Sequence, residues 1–396
     1  MSGKDINVPP RILVVDDEPD LELLIKQRFR KQIRENELAF EFAQNGVHAL
    51  QKLDEHGDIS VILSDINMPE MDGLTLLERV SERNNPAIKS VIISAYGDME
   101  NIRTAMNRGA FDFLTKPIDF VDLELTVQKT MQQLEIIKHA MTVRDELVAV
   151  QRDLSTATRI QQSLLPKTFP PFPHRPEIDL YAEMITAKQV GGDFYDYYFI
   201  DEERLAFTVG DVSGKGIPAA IYMAVSRTLL KAIAHQVVNP GEVLRKLNTL
   251  LIPESESATF VTVFFGVLNI RSGELQYSNG AHNAPFLLRA GGGIEELPLT
   301  EGSILGKIPH LDFDTRRVKL QKGDTLFLYT DGVSEAMDPE SNQYGDDRLK
   351  GYLASTNGSS IEELVKNNLA DVKKHTRDAL QSDDITVLAL RYRGVP

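Results

Sequence analysis

Apolar runs at Arg11–Val15, Phe40–Ala43, Val61–Ser64, Ser90–Ser94 and Ala110–Leu114 alternate with longer stretches of helical periodicity, the first of them Asp20–Arg34. Short apolar runs separated by amphipathic helices are the repeat of a parallel sheet covered on both faces. Residues 8–125 are therefore predicted to form a doubly wound α/β domain with a five-stranded parallel sheet. From Val121 to Leu165 there is neither glycine nor proline, which predicts one long helix and makes residues 126–165 a helical linker. Leu134, Ile137, Met141 and Val148 follow one apolar seam along it. Leu147, Val150, Leu154, Ala157 and Leu164 follow a second, shifted by about one residue. A short coiled coil with a phase change near Arg144 accounts for both seams and predicts a homodimer; a helix packed only on its own domains is the alternative.

Pro166, Pro170, Pro171, Pro173 and Pro176 end the helix and open a second domain, residues 166–396. Strand-like runs there lie at Ile178–Ile185, Phe194–Ile200, Arg204–Val209, Phe260–Ile270, Glu274–Ser278, Thr315–Leu320, Thr325–Thr330 and Ile385–Arg391. Helical stretches lie at Ile217–His235, Gly241–Leu251 and Ile361–His375. Many strands joined by short turns, with few helices between them, predict an α+β architecture: antiparallel sheets face to face, flanked by helices.

At 396 residues, two domains and a connector fit the length. No run looks long enough to cross a bilayer, and Met1–Pro10 lacks the basic-then-apolar pattern of an export signal, so a cytoplasmic protein without a membrane partner is expected. The absence of cysteine removes disulfides, thiol catalysis and thiolate metal sites, leaving oxygen or histidine ligands for any metal. A net charge of −15 argues against nucleic acid as a partner.

In a doubly wound sheet, chemistry sits beyond the carboxyl ends of the strands. Asp16 and Asp17 follow the first strand, Asp65 the third, Ser94 ends the fourth, and Lys116 follows the fifth. Three carboxylates brought together repel one another unless a cation lies between them, and Mg²⁺ suits such an all-oxygen site. Lys116 and the Ser94 hydroxyl are placed to hold the oxygens of a phosphoryl group arriving at Asp65. Val-Val-Asp-Asp-Glu (14–18), Asp-Ile-Asn-Met-Pro-Glu-Met-Asp-Gly (65–73), Ser94-Ala95 and Thr-Lys-Pro (115–117) together resemble the response-regulator receiver family. The resemblance implies that Asp65 accepts phosphate from a sensor histidine kinase and that Ser94 is the switch hydroxyl. It further implies Mg²⁺ on Asp16, Asp17, Asp65 and the Asn67 backbone carbonyl, with Phe113 either as the switch aromatic or as plain core.

In the second domain, aspartates gather in Gly-Gly-Asp (191–193), Gly-Asp-Val-Ser-Gly-Lys-Gly (210–216), Tyr-Thr-Asp-Gly (329–332) and Ser-Asp-Asp-Ile-Thr (382–386). Separate Asp turns without Cys or paired His suit Mg²⁺ or Mn²⁺. Two such ions acidify a shared water for attack on phosphorus without a side-chain nucleophile. These turns resemble the PPM (PP2C-type) phosphatases, specifically the bacterial SpoIIE/RsbU-like branch, as does Ile-Gln-Gln-Ser-Leu-Leu-Pro (160–166). The resemblance implies a helix-flanked β-sandwich, with two Mn²⁺ or Mg²⁺ ions sharing Asp193 and Asp211. The Val212 carbonyl is a further ligand, and Asp331 and Asp383 hold one ion. Asp196 and Asp384 are expected in turns or supporting positions rather than as ligands. Asn-Gly-Ala-His (279–282) inverts the expected Ala-Gly order, so His282 is assigned no chemistry, and no counterpart of the phosphate-binding arginine of the eukaryotic branch is present.

A diguanylate cyclase reading of Gly-Gly-Asp-Phe-Tyr fails because Phe194 stands where an acid is required and Asp211, Asp331 and Asp383 go unexplained. A helix-turn-helix DNA regulator lacks its short basic pattern. The remaining rival is a silent phosphatase-like module that binds a phosphoprotein under receiver control. The sequence favours a serine/threonine phosphatase governed by Asp65 phosphorylation, and the resemblance implies a phosphorylated anti-sigma-factor antagonist of STAS type as substrate.

Overall fold

A computed structural model describes residues 9–95, 97–252, 259–356 and 358–395 of the chain. The N-terminal stretch read for an export signal falls almost entirely outside them. The chain folds as two compact units that part between Val150 and Gln151.

The first unit runs β1 (Arg11–Val15), α1 (Pro19–Arg28), α2 (Arg30–Arg34), β2 (Ala39–Ala43), α3 (Gly46–Glu55), β3 (Ile59–Asp65), α4 (Gly73–Glu82), β4 (Lys89–Ala95), α5 (Met99–Asn107), β5 (Asp112–Lys116) and then α6 (Phe120–Leu164). The strands are all parallel, in the order β2-β1-β3-β4-β5. Alternate residues feed opposite layers. Ile12, Val14, Val61, Leu63, Val91 and Ile93 pack beneath α1 and the start of α6. Leu13, Val15 and Ile62 pack beneath α3 and α4, and Ile92 beneath α4 and α5. Helices α3 and α4 start on side-chain caps that the sequence supplies: Asn45 accepts from the His48 amide and Asp72 from the Thr75 amide.

Three sequence expectations shift here. The helix read as Asp20–Arg34 is broken at Phe29 (φ −91°, ψ 15°), whose buried ring packs against Phe40 at 5.1 Å between centroids. The fifth strand lies two residues later than expected, because Gly109 (φ 95°) turns the chain before Ala110 and carries Lys116 into the strand. Leu134, read as part of a dimer seam, is 1% exposed in the domain core, whereas Met141, Leu147, Val148 and Val150 stand exposed on α6.

The second unit continues with β6 (Ile178–Ile185), β7 (Phe194–Phe199), β8 (Arg204–Val212), α7 (Ile217–Ala234), α8 (Pro240–Leu251), β9 (Val261–Asn269), β10 (Glu274–Gly280), β11 (Phe286–Leu288), β12 (Ile294–Glu296), β13 (Arg316–Lys319), β14 (Thr325–Tyr329), α9 (Asp331–Ser334), α10 (Asp346–Ser355), α11 (Ile361–Thr376) and β15 (Ile385–Tyr392). Two five-stranded antiparallel sheets form, β13-β10-β9-β8-β7 and β12-β11-β14-β15-β6. Leu326 and Leu328 of β14 face the core between the sheets. Phe327 and Tyr329 face the opposite way, under α10 and α11. Helices α7 and α8 cover the other sheet, giving four layers. Strands β11 and β12 and helices α9 and α10 were not foreseen; the strands are three residues each and α9 only four, too short for periodicity to register.

Helix α7 corrects the reading that no segment has the length to span a bilayer. Its 18 residues reach a mean hydropathy of 1.3, enough by length and composition. Ala219, Tyr222, Met223, Leu230 and Ile233 on it are buried in the domain core.

Candidate metal centres

At the carboxyl edge of the parallel sheet, the donor oxygens of Asp16, Asp17 and Asp65 all lie within 4.8 Å of one another. Lys116 Nζ stands 2.8 Å from Asp65 Oδ2, 3.0 Å from Asp16 Oδ2 and 3.1 Å from Glu18 Oε1. Burial raises the Asp16 carboxyl pKa, outweighing the Glu18 amide and Lys116 that favour its charge. Burial works against the Lys116 charge as well, but its ion pairs with Asp65, Asp16 and Glu18 win and push its pKa up. Asp65 Oδ1 accepts from the Ile66 amide at 2.7 Å, which leaves Oδ2 toward Lys116. The Ser94 hydroxyl is fully buried and has no hydrogen-bond partner among the described residues. An all-oxygen trio with one lysine fits a hard divalent cation. Asn67 lies in the exposed loop after β3, and Phe113 is 37% exposed on β5, which rules out plain core.

In the second unit, Asp193 precedes β7, Asp211 lies near the end of β8, Asp331 opens α9 and Asp383 precedes β15. Their side chains interact from four separate strand ends. Asp193 is 1% exposed, and burial together with Asp211 pushes its carboxyl well above the ordinary value. Burial and Asp331 push Asp211 up to about 7, although it shares a hydrogen bond with Asp193. Burial and Asp383 raise Asp331. The Thr330 hydroxyl donates to Asp193 Oδ2 at 2.8 Å while accepting from the Thr386 amide at 2.9 Å, which fixes the Asp193 carboxyl. Lys215 Nζ lies 2.8 Å from Asp383 Oδ2. The cluster therefore already draws a cation, as a set of mutually repelling carboxylates must.

Among the described residues, only the Asp16 trio brings three such donors within 4.8 Å of one another. Asp384 spends its two oxygens on the amides of Ala187 and Gly192, at 2.8 and 2.7 Å. Gly332 is required where α9 crosses this strand end, since a Cβ there would stand 1.8 Å from the Asp384 carbonyl. Mutually repelling oxygen donors of this kind fit hard divalent cations.

Asp196 is a mid-strand residue of β7, not a turn residue. It meets Arg227 of α7 at 2.8 Å, with Lys231 at 3.7 Å. Removing Arg227 leaves a buried carboxylate without its main partner. Arg227→Met is expected to lower stability by about 2–4 kcal/mol, measured by urea unfolding; a loss below about 0.5 kcal/mol would refute that role for the pair. His282 is buried, its Nδ1 lies 3.0 Å from Thr262 Oγ1, and burial drives its pKa down to about 4, so it is neutral near pH 7. Thr330, Lys215 and Arg227 were given no role by the sequence reading. Thr330 and Lys215 at least lie inside motifs, whereas no local signal marks Arg227.

A family model described as the response regulator receiver domain matches residues 12–128, and one described as Stage II sporulation protein E (SpoIIE) matches residues 201–393. The chain carries a response regulator receiver domain followed by a SpoIIE domain. The chain is 30% identical to Protein IcfG of Synechocystis sp. over 272 residues, which cover 61% of it and 42% of IcfG. It is 27% identical to Phosphoserine phosphatase RsbU of Bacillus subtilis over 252 residues, 64% of it and 73% of RsbU. The chain thus spans less than half the length of IcfG. Among solved structures, the SiaA-PP2C domain of Pseudomonas aeruginosa superposes with a TM-score of 0.56 at 21% identity, covering 62% of this chain and 98% of that one, a likeness of fold.

Proposed function

We propose that a sensor histidine kinase phosphorylates Asp65, and that the receiver thereby controls a metal-dependent protein serine/threonine phosphatase in residues 166–396. The observation that carries this reading is the gathering of Asp193, Asp211, Asp331 and Asp383 at four strand ends, with Asp193 held by the Thr330 hydroxyl and Asp383 met by Lys215. Asp193 and Asp211 would be shared by two Mn²⁺ or Mg²⁺ ions, with the Val212 carbonyl as a further ligand and Asp331 and Asp383 on one ion. When bound, these ions supply charge neutralisation and a more acidic water for phosphoester hydrolysis. Thr330 holds Asp193 in place for that task, and Asp384 fixes the loop before it. In the receiver, Mg²⁺ would sit on Asp16, Asp17, Asp65 and the Asn67 carbonyl. Asp65 Oδ2 is the acceptor atom, and Lys116 and the unpartnered Ser94 hydroxyl receive the new phosphoryl oxygens.

The SpoIIE-type domain and the phosphoserine phosphatase RsbU support a phosphoserine or phosphothreonine substrate. A phosphorylated anti-sigma-factor antagonist fits that branch. The exposed apolar residues Met141, Leu147, Val148 and Val150 of α6 support a homodimer through the linker.

The test is Mn²⁺-dependent hydrolysis of p-nitrophenyl phosphate by the full chain, with and without beryllofluoride as the mimic of phospho-Asp65. Turnover that requires Mn²⁺, stops with EDTA and changes severalfold with beryllofluoride is expected. A protein that binds Mn²⁺ yet turns over neither this ester nor a phosphoserine peptide is a binding module instead.

A further inference from the structure

The last turns of α6 reach the loop that carries Asp193. Gln161 is 5% exposed, and its side-chain amide is spent wholly on one residue of that loop: Nε2 donates to the Gly191 carbonyl at 2.6 Å, while Oε1 accepts from the Gly191 amide at 3.1 Å. The pair mimics one rung of a sheet, and it satisfies both backbone groups of Gly191 in a buried place where water cannot. One turn earlier on the same helix face, the Thr158 hydroxyl lies 2.8 Å from the Gln189 carbonyl. Just after the helix, Leu165 is buried in the domain core and the Tyr195 hydroxyl donates to the Pro166 carbonyl at 2.8 Å.

The loop has no slack on its other sides. A Cβ on Gly191 would stand 2.0 Å from Asp384 Oδ2, and one on Gly192 would stand 2.5 Å from the Val212 carbonyl. The Gly192 amide is itself bonded to Asp384 Oδ2. The peptide before Asp193 is thus held between the helix, Asp384 and Val212, with Gln161 as the one side chain from α6 that bonds to Gly191 among the described residues.

The geometry points to Gln161 as a positioning residue of the phosphatase centre: its paired hydrogen bonds to Gly191 set the place of Asp193, so the metal site is built partly by the linker helix. The functional unit then begins inside α6, upstream of the boundary at residue 166. This inference rests on the metal-dependent reading above and gives the Gln residue within Ile-Gln-Gln-Ser-Leu-Leu-Pro a task. Without the bonds, the loop populates other positions, and bound metal must select the competent one, which weakens apparent affinity without altering the chemistry once the site is filled.

The experiment uses the full chain carrying Asp17→Asn, to silence the receiver centre, and measures Mn²⁺ binding calorimetrically alongside the Mn²⁺ dependence of p-nitrophenyl phosphate hydrolysis. Gln161→Leu, which removes both bonds, is expected to raise the Mn²⁺ dissociation constant at least tenfold, with kcat returning to the parent value at saturating Mn²⁺. Gln161→Met, which keeps the length of the side chain and also removes both bonds without adding charge, serves if the leucine variant does not fold, and the same weakening is expected. Unchanged Mn²⁺ affinity in a folded variant overturns the inference, as does a loss of kcat that saturating Mn²⁺ fails to restore. A parent protein that binds no Mn²⁺ overturns the phosphatase reading itself, and the inference with it.

Discussion

Asp211→Asn is expected to lower Mn²⁺-dependent turnover by roughly 10³-fold or more while leaving phosphorylation of the receiver intact. Asp211 interacts with Asp193, Asp331, Asp383 and Asp384 at once, so an amide there removes the ligand charge at the point where the acids meet. The same substitution is expected to stabilise the metal-free protein. Burial and neighbouring carboxylates push the Asp211 carboxyl from an ordinary 3.8 up to about 7. Between those values the folded state holds a proton that the unfolded chain releases, so the destabilisation from this group grows as pH rises through that window and is fully present above about 7. In EDTA at pH 8, asparagine should therefore raise stability by about 1–3 kcal/mol, and the gain should vanish near pH 4. Denaturant unfolding followed at both pH values checks this. A less stable variant at pH 8 would mean that the carboxylate is satisfied without metal. The opposed effects on function and stability mark a ligand, since an aspartate kept for folding does not improve the fold when neutralised.

How far the sequence could be read depended on whether each feature was local. The parallel sheet was legible because β1, β3 and β4 are continuous apolar runs, as strands buried on both faces must be. The acidic positions were legible as candidates because each sits in a short motif at a strand end. Leu134 was misplaced because one periodic pattern serves equally for a dimer seam and for packing under a sheet. Periodicity could not choose between them; only the tertiary contact with the receiver core does. Asp196 falls inside the predicted strand Phe194–Ile200 and was expected in a turn or supporting position, yet its register opposite Thr208 and its pairing with Arg227, 31 positions along the chain, are set by α7 folding back over β7. Gln161 and Gly191 are likewise 30 residues apart. What the sequence hid was the pairing of these side chains, because a bond between distant positions leaves no spacing to detect.

Asp65→Asn should abolish phosphorylation by acetyl phosphate, with incorporation falling at least about 100-fold, and remove any response of the phosphatase to beryllofluoride. The carboxylate supplies the acceptor oxygen, and its Oδ2 is the atom nearest Lys116 at 2.8 Å. An amide of the same shape keeps the packing beneath β3, while Lys116 retains Asp16 and Glu18 as partners, so the domain should fold. Mn²⁺ binding at Asp193 and Asp211 should be unaffected, which calorimetry on the variant measures directly. Phosphate-affinity gels report the receiver half of the result. If Asp65→Asn and Asp211→Asn each removed both receiver phosphorylation and Mn²⁺-dependent turnover, the two acidic centres could not be separate devices. Loss of one activity in each variant is the pattern required of a receiver that governs a distinct catalytic domain.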